Sequence, residues 1–225
     1  MQIDLESLTS RISTLAAAIV TAFVMAGALL VAPTAPAPTA EAQSCTDIQV
    51  VFARGTDEPA GLGRVGAAFV DSLSRRVGGR SVGSYAVVYP ATFDFLAAAG
   101  GANDASNHIQ WMMANCPRTR LVLGGYSQGA AVIDVIAAVP FPAVGFDRPL
   151  PPNTPDFVAA IALFGNPTAK VGLPITTSPV WGSRSIDLCT LGDPVCSAGD
   201  DIAAHSNYGP AGLTDQAAAF VAGLV

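Results

Sequence analysis

Residues 121–139, LVLGGYSQGAAVIDVIAAV, decide the fold. An apolar run ends in two glycines, a lone Ser127 stands between Gly125 and Gly129, and apolar residues then return at helical spacing. The change of period predicts a strand over 119–127, a tight turn, and a helix over 128–139. Gly125-Tyr126-Ser127-Gln128-Gly129 fits G-x-S-x-G, in which a sharp strand-to-helix turn exposes a serine hydroxyl at the end of a sheet. The glycines suit that turn because it is sharp and because the helix after it packs tightly on the strand. A simple helix N-cap is the other reading of such a serine. The context favours the nucleophile, since the motif ends a buried strand and opens a helix.

Outward from this stretch, strand-like and helix-like segments alternate. Strands are expected at 47–55, 84–90, 119–127, 157–167 and 183–189. Helices are expected at 63–77, in a segment ending with 105–117, at 128–139, and in the tail at 214–224. Strand then helix, repeated, predicts an α/β fold with a parallel sheet covered on both faces. The strands read as apolar runs without clean alternation, as buried parallel strands do. Two stretches break the pattern. The proline-rich 140–156 is expected to be a surface excursion, and 188–210 a long functional loop holding acids, two cysteines and a histidine.

The chain has 225 residues, half of them hydrophobic, and a net charge of −6. It can bury a large core in one domain. No basic run of the needed density occurs, which argues against a nucleic-acid partner. Leu15–Ala32 is a continuous apolar stretch, followed by PTAPAPTAEAQS. Ala40-Glu41-Ala42 offers small residues at signal-peptidase spacing, so 1–42 is expected to be a signal peptide and 43–225 the mature domain. An uncleaved anchor is the rival reading, but the proline-rich spacer and the cleavage site favour export, with no stable membrane insertion afterwards. Four cysteines, Cys45, Cys116, Cys189 and Cys196, read in an exported chain as two disulfides. Three pairings are open. The short spacing allows Cys189 and Cys196 to close a small loop, which leaves Cys45 with Cys116. No CxxC pair and only two histidines speak for a metal site, so none is expected, nor any cofactor.

A nucleophilic serine needs a base, and in this architecture the chain order is serine, acid, histidine. His205 is the one histidine after Ser127; His108 precedes it and reads as a surface or packing residue. The acid has four candidates: Asp187, Asp193, Asp200 and Asp201. Asp193 is preferred because it lies just beyond the last strand, where a sheet presents catalytic side chains. The oxyanion needs at least two donors. The N–H of Gln128 is one, and Thr56, in the loop after the first strand, offers an N–H and a hydroxyl.

The stretches VVFARGTDEP (50–59), CPRTRLVLGGYSQGA (116–130), LFGNP (163–167) and CTLGDPVC (189–196), with His205, resemble the cutinase family in its mycobacterial cutinase-like branch. The resemblance runs from about Cys45 to the C-terminus. It implies a compact, lidless α/β-hydrolase with a five-stranded parallel sheet. It implies Ser127 as nucleophile, Asp193 as acid, His205 as base, Thr56 with Gln128 as the oxyanion hole, and disulfides Cys45–Cys116 and Cys189–Cys196. Thr56 stands where serine is common in the fungal pattern, and the 140–156 excursion is longer.

Together these readings predict a secreted, monomeric serine esterase acting on ester or lipid substrates through an acyl-serine. Phe93, Phe95, Leu96, Ile202, Ala203 and Ala204 are candidate acyl-chain contacts. A phospholipase, thioesterase or acyltransferase of the envelope would use the same residues. A non-catalytic surface protein on the same scaffold is the remaining alternative.

Overall fold

The computed structural model describes residues 45–225. The expected signal peptide, 1–42, lies outside the described residues. Five strands form one sheet: β1 (Ile48–Ala53), β2 (Val82–Ala86), β3 (Arg120–Tyr126), β4 (Val158–Phe164) and β5 (Ser185–Leu188). Their spatial order is β2-β1-β3-β4-β5, and every pair is parallel. The helices are α1 (Gly63–Arg76), α2 (Ala98–Asn115), α3 (Gln128–Ala138), the single turn α4 (Pro167–Lys170) and α5 (Leu213–Ala222).

Alternate residues of each central strand face opposite layers, because a strand has a period of two. On one face Val51, Leu121, Leu123, Ile161 and Leu163 pack against α2 and α3, through Ile109, Ile133 and Ile136. On the other, Ile48, Val50, Phe52, Val122 and Phe164 pack against α1 and α5, through Phe69, Leu73 and Val221. Phe52, Phe69 and Phe164 form a ring cluster there, with centroids 5.8–6.4 Å apart. Both sides of β1, β3 and β4 are therefore buried, which explains their unbroken apolar sequence.

The edge strand differs from expectation. It is expected over 84–90 but runs Val82–Ala86, beginning two residues earlier and ending four residues earlier. Val87 N–H still reaches Phe52 O at 2.9 Å, but Val88 N–H turns to the Asp104 carboxylate of α2 at 2.7 Å. The chain thus leaves the sheet before Pro90. The second helix begins at Ala98, and the Gly100-Gly101 pair does not interrupt it. The 140–156 excursion holds only an isolated bridge, Ala143 to Phe146, and a 3-10 turn at Thr154–Asp156. Phe146 is fully buried and pins it.

Both disulfides form, Cys45–Cys116 and Cys189–Cys196. The first ties the start of the described chain to the end of α2. The second closes the loop after β5. The sheet order places the switch point between β1 and β3, where successive connections leave in opposite directions. Ligand crevices of parallel α/β sheets open at the carboxyl ends of such strands. Thr56 follows β1 and Ser127 follows β3, and Ala53 is in register with Gly125.

Candidate active site

Ser127 follows β3 directly and sits at φ 56°, ψ −119°, a backbone conformation that non-glycine residues seldom adopt. The turn is held by Ser127 N–H donating to Phe164 O at 2.8 Å. Gly129 allows it: a Cβ there would lie 2.0 Å from Ala53 O and 2.5 Å from Arg54 O, both backbone atoms. A Cβ at Gly125 would meet α3 as closely, 2.3 Å from Gly129 O.

His205 lies on a 3-10 turn, Ala204–Ser206, within the long 188–210 loop. Its Nε2 is 2.9 Å from Ser127 Oγ and its Nδ1 is 2.7 Å from Asp193 Oδ2. Asp193 is wholly buried. A buried carboxylate is costly unless its oxygens are satisfied. Oδ1 accepts Val195 N–H at 2.8 Å, and Oδ2 also accepts the Tyr208 hydroxyl at 2.5 Å. Tyr208 is fully buried, and burial, then its bond to Asp193, pushes its pKa well up, so it stays a protonated donor.

A second tyrosine braces the histidine. Tyr126 donates to His205 O at 2.5 Å, and its ring lies 5.0 Å from the imidazole. Burial, with Glu58 next, pushes the Tyr126 hydroxyl up to about 12. Gly165, at φ 60°, leaves room for the ring of His205: a Cβ there would approach Cε1 to 2.9 Å.

Thr56 and Gln128 face each other across the β1–β3 crevice. Thr56 Oγ1 donates to Gln128 Oε1 at 3.4 Å, and Gln128 Nε2 donates to Thr92 O at 2.9 Å. Among the described residues, no protein acceptor takes the N–H of Thr56 or of Gln128. For Gln128 this follows from its position as the first helical residue. The loop that carries Thr56 is stiffened from beneath. Buried Arg54 donates Nε to Glu58 O at 2.8 Å and Nη2 to Tyr89 O at 2.8 Å. Glu58 accepts Gly55 N–H and Arg64 N–H at 2.8 and 2.9 Å.

The other sequence candidates separate from this cluster. Asp187 points to Asn166, whose Nδ2 donates to it and to Asp134 at 2.8 Å each. Burial raises Asp187 to about 6. Asp200 and Asp201 are exposed. His108 stacks on Tyr85, with centroids 3.6 Å apart. Phe93, Phe95, Leu96 and Ile202 are 62–77% exposed, and Ala203 is also exposed. Ala204 is buried, so it belongs to the core and not to a lining. Cys189, Asp193 and Cys196 lie close enough together to suggest a metal site, but both sulfurs are in the disulfide and offer no thiolate.

Tyr208, Tyr126, Arg54 and Glu58 were not singled out by sequence reasoning. Tyr126 lies inside the G-x-S-x-G motif, and its place there was the one available signal.

A family model described as Cutinase matches residues 44–225. Phospholipase Culp4 of Mycobacterium tuberculosis is 57% identical over 208 residues, spanning 92% of this chain and 90% of its own length. Carboxylesterase Culp1 of the same organism is 49% identical over 202 residues, 86% of this chain and 88% of its own. A Trichoderma reesei cutinase solved with a phosphonate inhibitor shares the fold at a TM-score of 0.63 and 34% identity, covering 80% of this chain and 77% of that one.

Proposed function

Because the chain belongs to the cutinase family, we propose that it is a secreted serine esterase that cleaves carboxylic esters through an acyl-serine. Ser127 is the nucleophile, His205 the general base, and Asp193 the acid that orients it. The observation that supports this reading is the chain of contacts from Ser127 Oγ through His205 to buried Asp193, at 2.9 and 2.7 Å. A serine held on a sharp turn within reach of an imidazole, itself fixed by a carboxylate, is the arrangement that acyl transfer needs.

In the first half-reaction Ser127 Oγ attacks the ester carbonyl carbon while its proton passes to His205 Nε2. The carbonyl oxygen becomes an oxyanion and accepts from the N–H groups of Thr56 and Gln128 and from the Thr56 hydroxyl, which turns to it from Gln128 Oε1. The Nδ1–H of His205 donates to Asp193 throughout, which fixes the tautomer and stabilises the imidazolium. As the carbon–oxygen bond breaks, His205 returns the proton to the leaving alkoxide. Water then attacks the acyl-serine by the same route and frees the carboxylic acid.

A second reading keeps these residues and makes a phospholipid the acyl donor. It is favoured by the name of the 57% identical relative, phospholipase Culp4. The two disulfides fit an oxidising compartment outside the cytosol, and we take residues 1–42 as the export signal, 43–225 as the esterase domain and the mature protein as a monomer without a membrane span. Among the described residues no helix is long and apolar enough to cross a membrane.

The test is labelling with a fluorophosphonate together with hydrolysis of p-nitrophenyl esters and phospholipid vesicles. Wild type should label and hydrolyse; Ser127→Ala should do neither and remain folded. Losing a triad member costs several powers of ten in rate. A Ser127→Ala protein that keeps more than about a hundredth of the wild-type rate would sink the assignment.

A further inference from the structure

The stretch LFGNP (163–167) ends β4. In the sheet β4 separates β3, which leads to Ser127, from β5, which leads to Asp193, so no ladder hydrogen bond joins those two strands. Three successive residues at the end of β4 span the gap. Phe164 O accepts Ser127 N–H at 2.8 Å. Gly165 N–H donates to Leu188 O at 2.9 Å, and a Cβ at Gly165 would stand 2.9 Å from His205 Cε1. Asn166 then reaches both sides with one amide. Its Nδ2 donates to Oδ2 of Asp134 on α3 and to Oδ2 of Asp187 on β5, at 2.8 Å each.

We propose that Asn166 is a positioning residue for ester cleavage: its amide ties the nucleophile helix α3 to β5 and so sets Ser127 against His205 and Asp193. The inference rests on the esterase reading above.

Asn166 is fully buried. Its Oδ1 accepts Thr168 N–H at 3.1 Å, which turns Nδ2 to the acids. An amide nitrogen carries two hydrogens, one for each carboxyl group. Buried carboxyl groups need such donors. Among the described residues Oδ1 of Asp134 has no partner, so this acid is held through Oδ2, by Asn166 and the Thr168 hydroxyl. Burial pushes both acids up; the Asn166 amide opposes it at Asp187, and Thr168, then Asn166, at Asp134. Asp134 lies seven residues beyond Ser127, about 10 Å along α3. A helix that shifts there carries its N-terminal serine with it. Ser127 Oγ stands 2.9 Å from His205 Nε2, and a displacement of about 1 Å would take the pair out of hydrogen-bond range.

The rival role for Asn166 is the cap of α4 through Thr168 N–H alone. Asn166→Ser separates the two, because serine also caps a helix but is too short to reach both acids. The measurement is kcat and KM for p-nitrophenyl butyrate per folded protein, with the folded fraction read by circular dichroism. In Asn166→Ser kcat should fall about tenfold to a hundredfold while KM moves less than about twofold. Asp187→Leu removes one acceptor and should lower kcat in the same way. Asp187→Asn keeps a carbonyl for the amide and should stay within about threefold of wild type. In Asn166→Ser/Asp187→Leu the losses should not multiply, because both changes break one bridge. Should Asn166→Ser not fold, the contrast between Asp187→Leu and Asp187→Asn decides. Equal kcat in those two, a kcat of folded Asn166→Ser within about threefold of wild type, or losses that multiply in the double variant overturns the bridge. A wild type that neither labels with fluorophosphonate nor cleaves the ester overturns the esterase reading instead.

Discussion

Tyr208 and His205 donate to the same oxygen of Asp193, Oδ2, at 2.5 and 2.7 Å. A carboxylate held by two such donors, with Val195 N–H on its other oxygen, has one orientation open to it. The imidazole it steadies then has one orientation as well. Hydrogen bonds to a charged group contribute about 1.5–3 kcal/mol each, so the tyrosine is a large part of what makes a buried Asp193 tolerable.

Tyr208→Phe keeps the ring and removes the donor. The Asp193 charge, less dispersed, should hold the imidazolium more strongly. The acid limb of the kcat/KM profile should therefore move to higher pH, and kcat should fall about tenfold with KM little changed. A pH titration of the initial rate checks this. A lower kcat with an unmoved acid limb would make Tyr208 a packing residue only.

Gly129→Ala should be among the most damaging single-methyl changes in the chain. The new Cβ would meet two backbone carbonyls of β1 and its loop, which cannot rotate away. The strand-to-helix turn would have to open, at a cost of about 3 kcal/mol or more. Urea unfolding should show the loss, and fluorophosphonate labelling of the folded fraction should slow with it. A urea midpoint within experimental error of wild type would show that the turn has slack.

Replacing Cys189 and Cys196 with serine removes a bridge spanning 7 residues. On the chain-entropy model so short a loop contributes only about 2.5 kcal/mol. Asp193 hangs inside that loop, so the effect on kcat should exceed the effect on folding, with small misplacements costing about a hundredfold. The measurement is kcat and the urea midpoint on the same double variant. Normal kcat with a lowered midpoint would mean that the bridge does not position Asp193.

Asp187 gives stability a pH dependence of its own. Burial raises it from 3.8 to about 6, with the Asn166 amide opposing. The folded state then holds a proton that the unfolded state releases, so stabilisation is full below about pH 4 and is lost as pH rises through about 6. Asp187→Asn keeps an acceptor for Asn166 and removes the charge. It should flatten the stability profile between about pH 4 and 7 and raise stability at pH 8 by on the order of 2 kcal/mol. Thermal melts across that range decide it; an unchanged slope would show that Asp187 does not carry the proton.

The sequence by itself determined the backbone plan. Apolar runs, glycine positions and the change from period 2 to period 3.6 are local, and they specify strands, turn and helices wherever the chain goes. Residues 121–139 therefore announced the strand, the elbow and α3, and the alternation around them announced a parallel sheet. What the sequence left open were contact distances between residues far apart in the fold. A position just beyond the last strand favoured Asp193 over Asp187, Asp200 and Asp201, but no local pattern measures their distances to His205. The closed 189–196 loop decides it, by turning Asp193 inward while Asp200 and Asp201 stay in water and Asp187 is taken by Asn166. Tyr208 escaped notice because one tyrosine in a long loop carries no period, and its value lies in reaching a carboxylate 15 residues back. The edge strand was placed too far along the chain, and its end was missed for a like reason: where β2 stops depends on Asp104 of α2 capturing Val88 N–H, a tertiary hydrogen bond. Side-chain chemistry at the site is thus set by where loops close, and loop closure depends on distant burial and cross-links that local pattern does not encode.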